Sequence, residues 1–214
     1  MRLSNRFGMC MSWTMLLAAM LVVFVAAQPV QAEQRPDTLL RETVDQLLDE
    51  LSNNRQQFED DKCQLYSVVN RLVLPLFAID KITRLILGKH FKAVSPEMRN
   101  RFSRAFMEML IRTYATAMFE YTDQELVLKP PKSLEFDKSA GTALLRHRVP
   151  VSGQAPVLVD YALRRTTDGR WQILDIKIDH ISLVLTYRLQ YDHMIRKKGF
   201  ELLLFTLEKK VEDC

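Results

Sequence analysis

The chain of 214 residues has little glycine, few cysteines and no strong excess of either charge. Its six glycines never form the glycine-rich loop that cradles a phosphate group. No serine stands in the nucleophile elbow of a hydrolase. The four histidines are scattered, and none lies three or four residues from another histidine or from a cysteine, as common metal sites require. These absences argue against a phosphate-loop protein, a serine hydrolase and a metalloprotein.

The one long apolar run of the sequence lies near its start, at residues 9–27. Arg2 and Arg6 precede this run, and Pro29 and a small-residue pattern ending at Ala32 follow it. That order is typical of a cleaved secretory signal. The alternative, a retained anchor helix, is less favoured because the run is short for a membrane span. We predict that residues 1–32 are removed and that residues 33–214 form a single secreted domain.

The predicted mature chain is almost neutral, with 28 Lys and Arg against 26 Asp and Glu. A nucleic-acid partner would select a strongly basic face, so this balance argues against one. Basic clusters do occur at residues 99–104, 146–148, 164–165 and 196–198, with acids interspersed along the chain. We interpret them as solvated faces, and contact with anionic headgroups or with an acidic protein is the alternative.

Cysteines are limited to Cys10, inside the predicted signal, and to Cys63 and Cys214. An oxidising compartment permits one bridge between the last two. Because Cys214 is the final residue, where chains usually fray, the sequence leaves the pairing open.

Helical periodicity dominates the first half of the mature chain. Apolar residues at spacings of three and four predict an amphipathic helix over residues 36–53 and shorter helices over 63–74 and 79–87. A capping serine, a proline and an early glutamate at residues 95–97 predict the start of the longest helix, which runs to about Tyr121. Its wide stripe of Met, Phe and Leu leaves room for a ligand wall.

After residue 123 the period falls to two, and turn residues divide the chain into four strand-like segments. The first, over residues 125–137, contains Pro130-Pro131 and is predicted to be a bent edge strand or two short strands. Two later segments each have one apolar face, which we expect helices beginning near Ser182 and Phe200 to cover. These faces comprise Val157, Val159, Tyr161 and Leu163 on one segment, and Leu174, Ile176 and Ile178 on the next. The predicted fold is α+β, a four-stranded antiparallel sheet packed by helices with an N-terminal helical lobe.

The tightest group of ionisable residues is Asp179, His180, Asp192 and His193, across a strand end and a helix. These residues could bind a metal ion or could simply be solvent-exposed charges, and we favour the second interpretation. Carboxylate pairs such as Asp60-Asp61 are also typical of solvated turns. The predicted inward faces offer no histidine or aspartate for acid-base chemistry. We therefore predict no metal and no enzymatic activity.

An ordered set of short motifs runs through nearly all of the mature chain. The set comprises Leu74-Pro75 with Phe77, Asp80 and Ile82, Leu87-Gly88-Lys89-His90-Phe91, Met98-Arg99 with Phe102, Phe106, Leu110 and Tyr114, residues 175–179 and 181–184, Tyr187-Arg188, and residues 199–203. Together with the secretory signal, it resembles the MlaC (toluene-tolerance auxiliary) family. Two positions depart from that family: His180 stands where glycine is common, and His90-Phe91 where a Lys-Trp-like pair is frequent. The side chain of His180 favours a turn without positive φ.

The resemblance implies a periplasmic phospholipid carrier of the Mla lipid-asymmetry system, with a nuclear-transport-factor-like cone and an added helical lobe. The acyl tails would be held inside and the headgroup left exposed. The implied partners are an inner-membrane ABC-transporter complex and an outer-membrane lipoprotein complex. The phospholipid is cargo, no cofactor is implied, and we expect a monomer.

Such a carrier needs a dry tunnel with mobile walls, because exposing two tails of about 30 methylenes at ~0.8 kcal/mol each costs on the order of 20 kcal/mol. We predict that apolar residues of the long helix, the strands and the following helix line it. They are Phe102, Phe106, Met109, Tyr114, Val149, Val151, Val159, Tyr161, Ile176, Ile178, Ile181 and Val184. Each of them also fits an ordinary core position.

Two other classes of protein stay open at this point. One is a secreted enzyme of the same cone-shaped fold with a polar pocket, and the other is an adaptor with a filled core. Finding phospholipid in an organic extract of the purified protein would distinguish a carrier from both of these classes.

Overall fold

The computed structural model describes residues 35–121, 133–137, 139–149, 155–212 and 214. These residues belong to one compact unit, Gln34–Cys214. The predicted secretory signal lies outside them. No helix in these described ranges has the length and apolar character needed to cross a membrane.

The part of the chain before the sheet is helical. It forms α1 (Pro36–Asn53), α2 (Arg55–Asp60), α3 (Lys62–Val73), α4 (Ile79–Leu87) and α5 (Pro96–Tyr121). The predicted bounds of α1, α4 and α5 are confirmed, and the backbone N–H of Met98 donates to the Ser95 hydroxyl at 3.2 Å, as a capping serine requires. Helix α2 was not predicted, since it buries only Phe58 and is too short for a periodic pattern.

The second half of the described chain contains a five-stranded antiparallel sheet with the strands in sequence order. The strands are β1 (Ser133–Asp137), β2 (Thr142–Val149), β3 (Val157–Arg165), β4 (Trp171–Ile178) and β5 (Ile181–Ser182). The prediction of four strands is corrected by β5. A two-residue strand has no alternation to detect, and the prediction placed Ile181 in the connection before a helix beginning near Ser182.

The turn between β4 and β5 also differs from the prediction. Asp179 and His180 have φ values of 45° and 71°, so His180 adopts the conformation that glycine favours. Ile178 pairs with Ile181, and a two-residue hairpin loop of this type requires positive φ at both central residues. The Asp179 carboxylate accepts a hydrogen bond from the backbone N–H of Leu158 at 3.0 Å, which ties this turn to β3.

A bulge changes which residues of β4 share a face. Tyr161 pairs with Ile176, whereas Leu163 pairs with Ile173, because the register shifts between Ala162 and Leu163. Ile173, which is buried, therefore continues the apolar face instead of Leu174. The predicted set of Leu174, Ile176 and Ile178 was wrong by this one residue, and single-strand alternation contains no signal of a bulge.

The apolar face of the sheet is covered by a different element from the one predicted. Its buried cluster contains Leu40 and is flanked by Leu39, Leu76 and Phe77, from α1 and the turn after α3. Helices α6 (Leu183–Lys198) and α7 (Phe200–Lys209) instead place their apolar residues in a separate cluster with α4 and α5. The expectation that the last two helices cover the sheet is corrected, because their buried residues belong to the cluster with α4 and α5 and not to the cluster of the strands.

A disulfide joins Cys63 in α3 to Cys214, the last residue, with the Cα atoms 5.5 Å apart. The pairing that the sequence left open is therefore formed. It ties the C-terminal end of the chain, 151 residues further along the sequence, to the helical half of the molecule.

Candidate functional site

The apolar face of the sheet is built from rows of residues that lie opposite one another on β2, β3 and β4. One row joins Leu145, Tyr161 and Ile176, and a second joins His147, Val159 and Ile178. Directly opposed residues project from the same face of a sheet, so these side chains form one continuous surface.

Burial changes along this surface from one end of the strands to the other. Ala143, Leu163 and Ile173 are at most 5% exposed, and they lie under the residues of α1. By contrast, Val149, Val159 and Ile178 are only half-buried. The apolar face of the sheet is thus buried by packing at one end and keeps partly accessible aliphatic side chains at the other. Residues 150–154, which follow β2 in the sequence, lie outside the described residues.

His147 is a buried histidine within this apolar surface, 6% exposed. Its ring stands edge-on to the ring of Tyr161, and its Nδ1 has no hydrogen-bond partner among the described residues. Burial lowers the pKa of His147, opposed in part by the charge of Asp37, so the imidazole is neutral at pH 7. Tyr161 is half-buried as a residue, and burial of its hydroxyl raises its pKa to about 12.

The prediction that the inward faces hold no histidine was therefore wrong. His147 follows Ala143 and Leu145 at intervals of two, so alternation along β2 was the signal for its position. Val149, a predicted wall residue two positions further along β2, lies on the same face by this alternation.

The predicted wall residues of the long helix lie in another place. Phe102, Phe106 and Met109 are 7% exposed or less and belong to the cluster that α4, α6 and α7 complete. The rings of Phe102 and Phe106 are stacked at 5.9 Å, and Tyr191 packs edge-on against both. These three side chains are packed by protein atoms, and their role as lipid wall stays a prediction.

The remaining predicted wall residues divide between the two regions. Val184 and Tyr114 are half-buried on the helical side. Burial, together with a hydrogen bond to Tyr114, raises the pKa of Tyr187 to about 12. Ile181, in β5, is 63% exposed. Val151 lies outside the described residues. The structure brings the strand residues of the predicted set together, and it places the helix residues in a different cluster.

Asp192, one member of the acidic and histidine group considered for metal binding, is bound by three basic side chains. Asp192 accepts bonds from Lys89 at 2.8 Å, His90 at 2.8 Å and Arg196 at 3.1 Å. The Lys89 and His90 hydrogen bonds, with the charge of Arg196, lower the pKa of Asp192 to about 2. Within the described ranges, no group of three His, Cys, Asp or Glu side chains is arranged to hold a metal ion.

A polar cleft of about 300 Å³ lies between α4 and the start of α5. Arg84 and Arg99 face the ring of Phe91 in its wall, at 4.5 and 4.2 Å from the ring centroid. The cleft is also lined by Lys81 and Asp80, and no sequence pattern pointed to it.

This chain is similar in sequence to proteins of one known family. The family model described as MlaC protein matches residues 41–209. The chain is 22% identical over 198 residues, 92% of each chain, to the intermembrane phospholipid transport system binding protein MlaC of Haemophilus influenzae. It is 26% identical over 185 residues to toluene tolerance protein Ttg2D of Pseudomonas putida, covering 85% of this chain and 84% of that protein.

A solved structure has the same fold. The phospholipid-binding protein of Ralstonia solanacearum, in complex with a phospholipid, superposes with a TM-score of 0.72 at 23% identity, covering 84% of this chain and 98% of that one.

Among the described residues, the fold is that of an α+β protein whose antiparallel sheet carries an apolar surface that α1 covers at one end. The family match spans well over half of the chain. The chain belongs to the MlaC family, and the resemblance read from its motifs is confirmed.

Proposed function

We propose that this protein is a periplasmic phospholipid carrier that holds acyl tails against the half-buried end of its sheet and leaves the headgroup exposed. Family membership over residues 41–209 carries the proposal. It is supported by the aliphatic surface of Val149, Val159 and Ile178, which the described helices do not bury. Carriers need such a surface because acyl chains are strongly disfavoured in water.

The carrier would exchange lipid with an inner-membrane ABC-transporter complex and an outer-membrane lipoprotein complex. The intermembrane transport named for the Haemophilus relative supports this part of the proposal. The predicted signal at residues 1–32 supports export to the compartment between the two membranes.

The proposal includes no enzymatic step and no cofactor. His147 is the group that a rival enzyme would use as its base. Its Nδ1 has no hydrogen-bond partner in the described part of the chain, whereas a catalytic base is usually oriented by a second polar group. The neighbouring Tyr161 has a pKa of about 12, which makes it a poor acid near neutral pH.

The test is to extract the purified mature protein with organic solvent and to identify lipids by mass spectrometry. We expect near-stoichiometric phospholipid. The informative variant is Val159→Glu, which places a charge on the apolar face and removes the lipid. The matched control is Leu158→Glu, because adjacent residues of a strand point to opposite faces and Leu158 lies opposite Arg148. A wild-type extract without phospholipid, or equal loss in both variants, contradicts the proposal.

A further inference from the structure

Helices α4 and α6 lie side by side and present an exposed apolar surface that the core does not need. Leu85 of α4 is 40% exposed, and Leu185 and Leu189 of α6 are 54% and 64% exposed. Ile181, four residues before Leu185, is 63% exposed. The opposite side of α6, with Tyr187 and Tyr191 among others, already packs in the core.

Contacts between the two helices place these leucines at one level. The guanidinium of Arg188 lies over Gly88. The Nε atom of Arg188 is 3.1 Å from the position that a Cβ atom on Gly88 would take. In the turn that follows α4, Lys89 binds Asp192, which lies one turn further along α6 than Arg188. Helices α4 and α6 therefore run parallel. Leu85 lies one turn before Gly88 and Leu185 one turn before Arg188, so the two leucines are level with each other.

Positive charge surrounds this surface. Lys81 and Arg84, on the exposed side of α4, and Arg188 form no ion pair among the described residues. Residues 79–100 and 179–198 together carry nine Lys and Arg against four Asp and Glu, whereas residues 35–78 carry five against eight. The two segments that contain α4 and α6 therefore carry a net charge of +5, whereas the predicted mature chain as a whole carries only +2.

The polar cleft adjoins the same surface. Lys81 and Arg84 line it together with Arg99 and the side chains of Asn100 and Ser103. The lining thus contains three cations and further hydrogen-bond donors, and its one acid is Asp80. Such a lining suits an anionic phosphate group.

We propose that the α4–α6 face, defined as Lys81, Arg84, Leu85, Leu185, Arg188 and Leu189, binds the surface of an anionic lipid bilayer. The leucines enter the headgroup region, and the cations pair with lipid phosphates. Charge complementarity selects this occupant, since an amphipathic face of leucines bordered by Lys and Arg is the arrangement of interfacial helices. The face contains no Trp or Tyr anchor of the kind that concentrates binding energy between proteins. The inference concerns docking and is independent of which cargo is carried.

The test measures co-sedimentation of the mature protein with phosphatidylcholine vesicles and with vesicles containing 30% phosphatidylglycerol. We expect preferential binding to the anionic vesicles that weakens as salt rises. The variant Lys81→Gln/Arg84→Gln/Arg188→Gln is expected to bind on the order of 100-fold more weakly. Leu185→Ser/Leu189→Ser is expected to lose on the order of 10-fold or more.

The matched control is Leu202→Ser/Phe205→Ser, a similarly exposed apolar pair on α7, which we expect to bind like the wild type. Wild-type protein that does not prefer anionic vesicles overturns the proposal, as does equal loss in the control. Binding that requires a membrane protein in the vesicles assigns the face to a protein partner and also overturns it. Lipid content of the same variants, measured by extraction, reports the carrier function separately.

Discussion

His147 and Tyr161 meet on the apolar face of the sheet with their ring centroids 5.5 Å apart and their planes nearly perpendicular. Tyr161 is one of the predicted wall residues, whereas His147 was revealed as its neighbour only by the structure. The pair places one neutral, titratable ring inside an otherwise aliphatic surface.

This burial predicts a pH-dependent stability. The folded-state pKa of His147 is lowered below about 6.5, the value of an unfolded chain. Well above pH 6.5 neither state binds the proton, and the stability due to neutral His147 is fully present. As the pH falls below 6.5 the unfolded chain is protonated first, so the free energy of unfolding decreases, by at most about 1.4 kcal/mol per pH unit. Urea unfolding at several pH values measures this decrease.

The comparison that isolates His147 is His147→Phe, which should flatten the stability profile below pH 6.5. His193, which is exposed on α6, provides the control, and His193→Gln should keep the wild-type slope. Parallel profiles for the wild type and His147→Phe would show that this histidine is not the source.

The disulfide predicts a large loss of stability on removal. Cys214→Ser frees the end of the chain from α3, and opening a loop of 151 residues is expected to lower the free energy of unfolding by about 3–5 kcal/mol. For a domain of this size the loss corresponds to a fall in Tm of about 10 °C. Thermal unfolding followed by circular dichroism measures it.

Cys63→Ser removes the same bridge and should match Cys214→Ser, and the double variant should add nothing further. Two free thiols titrated in unfolded, unreduced wild-type protein would contradict the bridge.

The exposure of Ile181 predicts that its replacement separates folding from lipid carriage. Ile181→Glu should leave Tm nearly unchanged, because the side chain is 63% exposed. If the residue stands at the rim of the lipid site, the variant should lose co-purified phospholipid. Phe205→Glu, on α7 and 55% exposed, is the control that should retain it. Full lipid content in Ile181→Glu would remove this residue from the site.

The two ends of the sheet should respond differently to truncation. Leu163→Ala opens a cavity at the end packed by α1 and should cost about 2–5 kcal/mol in the free energy of unfolding. Val159→Ala, two residues away on the same face but half-buried, should cost less than about 1 kcal/mol in lipid-free protein. Urea unfolding of delipidated variants measures both, and equal losses would show that the sheet is packed along its whole length.

Local signals explain which elements were predictable. The Ser95 hydroxyl caps α5, and the Ser182 hydroxyl accepts from the backbone N–H of Leu185 at 3.0 Å to cap α6. Both caps depend on residues within one turn of the helix end, so the local sequence predicts them. The same holds for the glycine that ends α6 before α7. Strands β2, β3 and β4 were likewise visible as alternation bounded by turn residues.

Non-local contacts explain what the prediction missed. The bulge beside Leu163 is set by pairing with β4, and the positive φ of His180 is imposed by the hairpin that joins Ile178 to Ile181. Neither requirement is written in the residues of a single strand. Leu40 lies within the amphipathic helix predicted over residues 36–53, but its position over the sheet depends on how α1 packs.

The amino-acid sequence by itself determined the helices, the main strands, the near-neutral charge and the family, because each depends on residue type at short spacing or in fixed order. Only the tertiary structure decided that Cys63 meets Cys214, that His147 faces inward beside Tyr161, and that Arg188 of α6 lies over Gly88 at the end of α4. These features join residues far apart in the chain, and their distances are set by packing, which the spacing of residues along the sequence does not encode.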